Sequence, residues 1–314
     1  MDFRGGLRRL DERQQRSRRL ALPFAVIKKF GDDDAGSLGA LIAYYGFFSI
    51  FPLLLVFVTI LGLVLQGDSS LRDSIRTSTL GHFPVIGDEL QKQNGLHGSV
   101  VSLVIGLAGA LWGGLGVTNA AQAAFDRVWA VPRKHRASFV QTRLRGLATL
   151  GALGVLSIAG SLASGFVSGG GRGPLFVVAG IGVSLILNVA LFLSAFRLLT
   201  ASNPPLKTLL PGSVFAAIAW EALQLLGGWY IGHVLRHATG TSGVFGLVIA
   251  LLSWLHLGAQ STLFGAELNV VLERKLWPRS LFGTQLPADE ETLEALAKVE
   301  ERTPDERVEV TFDE

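Results

Sequence analysis

The sequence predicts an all-α membrane protein with six transmembrane helices and both ends in the cytoplasm, and three observations carry that prediction. Charge is scarce: only 17% of the 314 residues are Asp, Glu, Lys or Arg and 49% are hydrophobic, whereas about a quarter of a soluble domain is charged. Six apolar stretches each reach the roughly 20 residues that a helix needs to cross the hydrocarbon of a bilayer. The basic residues, finally, are distributed unevenly among the segments that join those stretches.

Taken in order, residues 1–36 form a basic cytoplasmic segment. Leu7, Leu10, Leu20, Phe24 and Ile27 interleave with its Arg and Lys residues, which predicts either an amphipathic helix lying on the anionic inner leaflet or a plain positive-inside anchor. It lacks the apolar core and small-residue cleavage site of a secretory signal. Residues 37–277 form the membrane domain, with spans at about 39–65, 99–120, 147–168, 175–196, 209–230 and 244–267. The acids inside them are Glu221 and Glu267. Residues 278–314 form an acidic tail, with 11 Asp or Glu against 3 Lys or Arg from Ser280 onward; a short solvated helix over Glu290–Glu301 and a disordered remainder are expected. The connection over residues 66–98 is long enough to carry a short amphipathic helix as a periplasmic cap.

Orientation follows from the basic residues, which are retained in the cytoplasm near span ends. Nine precede the first span, and the connections carry 3, 6, 1, 2 and 1, with 6 after the last span. Alternate segments therefore hold 23 on one side and 5 on the other. With six spans, both termini lie inside.

The polar residues within the spans are placed at helical intervals. In the sixth span Ser253, His256, Gln260 and Glu267 line one face, while Gly258, Ser261, Gly265 and Asn269 form a second, mostly small row that would admit another helix closely. In the fifth, Glu221 lies roughly 18 Å from the cytoplasmic start at 1.5 Å per residue, with Val214, Ala217, Gln224 and Gly228 on its face. Glu221 and His256 could then share a depth. An ionisable residue there reads as a functional site, or as a hydrogen-bonded tie between helices. In the first span Tyr45, Ser49 and Pro52 share a face, and Pro52 leaves the carbonyl of Phe48 without its usual donor. Gly109 and Gly113 in the second span make a GxxxG packing motif, and Asn119, Gln122, Asp126 and Arg127 continue as a cytoplasmic helical extension.

Soluble-type catalysis finds little support. Only His233 and His237, of six dispersed histidines, have the i, i+4 spacing of paired metal ligands, without an obvious third. No HExxH, phosphate loop, GxSxG or dinucleotide fingerprint occurs. No catalytic residue, metal or cofactor is expected. The expected partners are the lipid bilayer and an unidentified small or lipid-linked substrate, with a homo-oligomer left open and no nucleic acid.

Several of these residues together resemble the YihY/BrkB family: Ala43-Tyr44-Tyr45-Gly-Phe-Phe-Ser49-Ile-Phe-Pro52, Asn119 through Trp129-Ala-Val131, Pro211-Gly212, Trp254, and Gly265-Ala-Glu267-Leu-Asn269. The resemblance runs from about residue 20 to 277. It implies a bacterial inner-membrane protein of six helices whose family once carried a ribonuclease label, since withdrawn for its namesake, and carries a virulence-factor label. Some members have been proposed to move lipid-linked or envelope precursors. Three functions follow for comparison: a permease in which Tyr45, Ser49, Pro52, Glu221, Gln224, His256, Gln260, Glu267 and Asn269 line a cavity, a scaffold in which the same faces are packing ties, and a nuclease, which lacks the clustered ligands that phosphodiester hydrolysis uses.

Overall fold

In the computed structural model the described residues are 11–12, 14–64, 100–169, 174–237, 240–280 and 286–312. The 66–98 connection falls outside them, as do the side chains of His233 and His237. The described elements are helical: α1 (Arg18–Asp32), α2 (Ala35–Val64), α3 (Val100–Val128), a 3-10 turn (Arg133–His135), α4 (Phe139–Gly169), α5 (Pro174–Leu199), α6 (Leu206–His237), α7 (Gly240–Arg274) and α8 (Pro287–Lys298).

Among the described residues, five helices are long and apolar enough to cross a membrane, over Ala35–Val56, Leu103–Val128, Val178–Leu199, Leu206–Gly227 and Val248–Arg274. Helix α4 covers the remaining predicted span and is 31 residues long. The spanning helices turn large apolar side chains outward, Trp112 at 75% and Leu225 at 78% exposure among them, as a surface facing acyl chains requires. Each helix outruns its apolar stretch because hydrogen bonding within the backbone continues into the polar flank. Helix α3, for example, extends through Gln122 and Asp126 to Val128.

The chain divides into two compact units: Met1–Ile42 with Thr118–Gly228 and His256–Glu314, and Ala43–Val117 with Trp229–Leu255. The larger unit has a core of Phe125, Phe196, Leu209, Leu263, Val270 and Val271, each at most 1% exposed. Phe30 stacks on Phe264 with ring centroids 4.0 Å apart. The smaller unit contains an antiparallel seam between α2 and α3.

Two helix ends in the larger unit explain why cations gather there. Ala130 after α3 and Lys275 after α7 adopt left-handed backbone, with φ of 49° and 55°. The N–H of Val131 then reaches the carbonyl of Asp126 and that of Leu276 the carbonyl of Val271, at 2.8 and 3.1 Å. This termination satisfies inner carbonyls but leaves the outermost ones free at the negative pole of the helix.

The acidic segment after residue 278 is not simply solvated. Helix α8 starts at Pro287, and its Asp289 and Thr292 are buried. Beyond it, the backbone N–H groups of Arg133 and Lys134 donate to the carbonyls of Val299 and Glu301 at 3.1 and 3.0 Å. The Lys134 ammonium lies 2.8 Å from the Glu301 carboxylate. Acidic residues in this segment therefore dock onto the chain's own basic loop, which composition cannot distinguish from a free tail.

Candidate functional site

The most buried ionic centre joins four segments of the larger unit. Lys29 lies in the last turn of α1, and Asp33 follows one turn later as the helix ends. Asp34 then takes a left-handed conformation, φ 54°, tolerable for an aspartate, which separates α1 from α2. The Lys29 ammonium donates to the Asp33 carboxylate, to Glu267 Oε2 at 2.9 Å and to the Val128 carbonyl at 2.9 Å. That carbonyl is one of the free ones at the end of α3. The side chains of Lys29, Asp33 and Glu267 are only 4%, 1% and 0% exposed, so the attraction acts with little screening. The Asp33 and Glu267 carboxylates thus share one ammonium. A second cation, Arg274, caps the neighbouring Trp129 carbonyl at 2.8 Å.

Beside this centre, α6 and α7 touch backbone to backbone. A Cβ on Gly265 would come within 2.6 Å of the Gly212 carbonyl, and one on Gly212 would strike the Gly265 carbonyl. Only glycines permit that approach. Asn269 uses it: its Oδ1 accepts from the Gly212 N–H at 2.7 Å, one residue after Pro211. Further along the same contact, Gly258 faces Trp220, 3.2 Å from where its Cβ would stand.

Glu221 occupies a separate polar site. Its Oε1 accepts from Ser184 Oγ at 2.6 Å and from Asn188 Nδ2 at 2.8 Å, both on α5. His256 pairs within its own helix, with Nε2 2.8 Å from Gln260 Nε2, and Gln260 packs against Gly39 near the start of α2. The structure thus gives Glu221 and His256 different partners. Gln224, one turn on from Glu221, is exposed.

In the smaller unit, Tyr45, Ser49, Pro52 and Val56 on α2 meet Gly116, Gly113, Gly109 and Gly106 on α3. A Cβ on those glycines would lie 2.6, 2.8, 3.0 and 3.0 Å from the facing side chains. The Ser49 hydroxyl donates to the carbonyl of Gly46 at 2.7 Å. Tyr45, Ser49 and Pro52 are here the ridge of a close helix contact.

A second ionic cluster adjoins the Lys29 centre. Arg279, 1% exposed, lies 2.8 Å from Asp32 and 2.7 Å from Asp289. Lys28 reaches the same Asp289 oxygen at 2.8 Å. Burial alone would raise the Asp289 carboxyl. Hydrogen bonds from Lys28, from the backbone N–H groups of Leu286 and Ser280, and from Arg279 outweigh it and hold the group below its ordinary range.

The pattern of polar residues pointed to Glu221, Glu267 and Asn269 but not to Lys29, Asp33, Ser184, Asn188 or Arg279. Ser184 and Asn188 could have been found, being polar residues one turn apart in an otherwise apolar span. Lys29 and Arg279 are hidden in sequence among the many basic residues that flank the spans.

Comparison with known proteins agrees with the earlier resemblance. The pattern of the family described as Virulence factor BrkB matches residues 26–283. The inner membrane protein YhjD of Escherichia coli (strain K12) is 25% identical over 87% of this chain and 87% of its own. The ribonuclease-like protein YfkH of Bacillus subtilis (strain 168) is 26% identical over 76% of this chain and 90% of its own. A protein of Dickeya dadantii (strain 3937) is 27% identical over 82% and 84%. No solved structure matches the chain. The family match covers the Lys29 centre, the Gly212–Gly265 crossing, the glycine seam and Glu221 alike, and this integral membrane protein belongs to the BrkB virulence-factor family.

Proposed function

We propose that the protein is a permease-like carrier of the bacterial inner membrane, with six spans and both termini in the cytoplasm, that handles a small or lipid-linked envelope substrate. The observation that carries this reading is Glu221. It is a carboxyl well inside an apolar helix, half-buried, held at 2.6 and 2.8 Å by Ser184 and Asn188 of another candidate span. An ionisable group at such a position is retained against a desolvation cost, which favours work on a substrate or proton over packing alone. A cleft of about 490 Å³ lined by Leu22, Pro23, Val26, Ile27, Phe215, Phe264 and Leu268 suits an acyl chain and so supports a lipid-linked substrate. The inner-membrane placement rests on the relative YhjD, and the topology on the 23-to-5 division of basic residues.

The test compares wild type with Glu221→Gln in a strain lacking the gene. The amide keeps an acceptor for Ser184 and Asn188, so insertion and thermal stability should hold while complementation falls at least about tenfold, the size of effect expected when a functional proton or charge is removed. Equal complementation would remove the reading. Topology is checked separately: the chain has no cysteine, so Arg4→Cys and Thr311→Cys should both resist a membrane-impermeant thiol reagent in intact cells, and Gln93→Cys should react.

A second reading, a scaffold without a translocation path, is favoured by the polar groups that serve helix contacts, Asn269 on Gly212 above all. Deleting residues 280–314 should then abolish function while leaving the spans inserted.

A further inference from the structure

Helix α1 buries Ala21, Ala25, Val26 and Lys29 in the larger unit, yet its outward side is apolar as well. Leu20, Phe24 and Ile27 there are 49%, 38% and 59% exposed. A helix that shows apolar side chains outward belongs against acyl chains rather than water. Its first turn marks the membrane–water boundary: Arg18 lies over the ring of Trp277, 5.4 Å from the centroid, and tryptophan concentrates at that level.

From that boundary α1, α6 and α7 run along the apolar cleft of about 490 Å³. Val26, 8% exposed, and the partly buried Phe264 and Leu268 are its floor, while Pro23, Ile27 and Phe215 are its exposed rim. Two cations stand in line with this lining. Arg19 precedes Pro23 and Ile27 by 4 and 8 residues, and Lys207 precedes Pro211 and Phe215 by the same steps, so each shares a side of its helix with the rim. The start of α6 is level with the end of α7, because the Thr208 hydroxyl donates to Glu273 at 3.0 Å.

Other cations at this end are engaged. Lys28 is paired with Asp289, Arg279 with Asp32 and Asp289, and Lys29 with Asp33 and Glu267, while Arg274 caps the Trp129 carbonyl. Arg19 and Lys207, by contrast, are exposed, and among the described residues no ion pair engages either. At 1.5 Å per residue, Arg19 stands about 6 Å from Pro23 along the axis and about 12 Å from Ile27. A phospholipid has the same layout, its phosphate in a headgroup layer about 5–8 Å thick and its chains immediately deeper.

We propose that the cleft between α1, α6 and α7 binds one anionic phospholipid, with an acyl chain against Val26, Phe264 and Leu268 and the headgroup phosphate neutralised by Arg19 and Lys207. A zwitterionic lipid fills the cleft with the same chains but brings its own ammonium toward two cations, so charge discriminates between them. The site shares with the carrier reading the use of this cleft for an acyl chain, and it does not involve Glu221.

The experiment is native mass spectrometry of the full-length protein in detergent, titrated separately with phosphatidylglycerol and with phosphatidylethanolamine of the same chains. Wild type should bind one phosphatidylglycerol with at least about fivefold preference, the scale of one basic side chain at an anionic surface. The double variant Arg19→Gln/Lys207→Gln changes two exposed side chains and should bind both lipids equally, whereas Arg19→Lys should keep the preference. Ile27→Trp, which fills the rim, should lose binding of both. Glu221→Gln should retain the wild-type preference whether or not it complements, which separates failure of this site from failure of the carrier reading. Equal binding of the two lipids by wild type overturns the proposal, as does a preference that survives the double variant or binding unchanged in Ile27→Trp. A preference lost in Glu221→Gln would place the lipid elsewhere, and displacement of the lipid by excess inorganic phosphate would show that the cations read a free anion; either result also overturns it.

Discussion

Between α2 and α3 the chain brings two helices together by removing side chains, whereas around Lys29 and Arg279 it does so by pairing buried charges. At the seam, Gly106, Gly109, Gly113 and Gly116 expose bare backbone to Tyr45, Ser49, Pro52 and Val56, and the gain is dispersion contact at short range. At the ionic layer, Asp32, Asp33, Glu267 and Asp289 each have a cation within 3 Å, and the Coulomb attraction offsets the cost of leaving water. The first kind of contact fails when volume is added. The second fails when a partner is removed.

The sharpest break should come from Lys29→Met. It fills a similar volume but strands Asp33 and Glu267 without a cation, and loss of one partner of a buried ion pair costs about 3–5 kcal/mol. Thermal unfolding in detergent should show a large drop or failure to accumulate; a variant as stable as wild type would show that the charges are not what holds this junction. Asp289→Asn comes next. It removes a charged acceptor serving Lys28 and Arg279, and hydrogen bonds to charged groups are worth about 1.5–3 kcal/mol. Because the Asp289 carboxyl is held below its ordinary range, the stability it contributes is fully present above about pH 4, the unfolded aspartate value, and is lost as pH falls through the depressed folded value. Proteolysis of the tail by an acid-active protease should accelerate in that acid window for wild type and show much less pH dependence for Asp289→Asn.

On the seam side, Gly113→Val should cost about 1–3 kcal/mol, the usual size of overpacking. Even a Cβ would stand 2.9 Å from the Ser49 backbone, which cannot swing away as a flexible side chain can. Salt should leave this loss unchanged, and a strong salt dependence would contradict the distinction drawn between the two regions. The smallest effect belongs to Arg133→Ala. Its partner Glu300 lies 3.2 Å away, but both side chains are about half exposed, and such pairs are worth about 0–1 kcal/mol. A larger loss would mean that the docked tail depends on this pair more than its exposure suggests.

How much of this was legible beforehand varies with the kind of contact. The apolar runs, their helical character and the GxxxG motif of Gly109 and Gly113 were readable, because span length and residue size are local properties. The α2 ridge was readable as a face, since Tyr45, Ser49 and Pro52 fall at steps of 4 and 3. What lay opposite was not: the same face suits a polar cavity or a glycine groove, and both satisfy the pattern.

The amino-acid sequence by itself determined that this is a helical membrane protein of the BrkB family, for the cost of exposing backbone to hydrocarbon leaves long apolar segments few alternatives to helix. Only the tertiary structure decided which charges meet. Lys29 and Glu267 are 238 residues apart in the chain, and nothing local distinguishes Lys29 from Lys28 beside it. One faces the end of α3 and two carboxyls, the other faces Asp289 in the neighbouring ionic cluster. A single helical step of about 100° separates those fates, and that rotation acquires meaning only when the helices are packed.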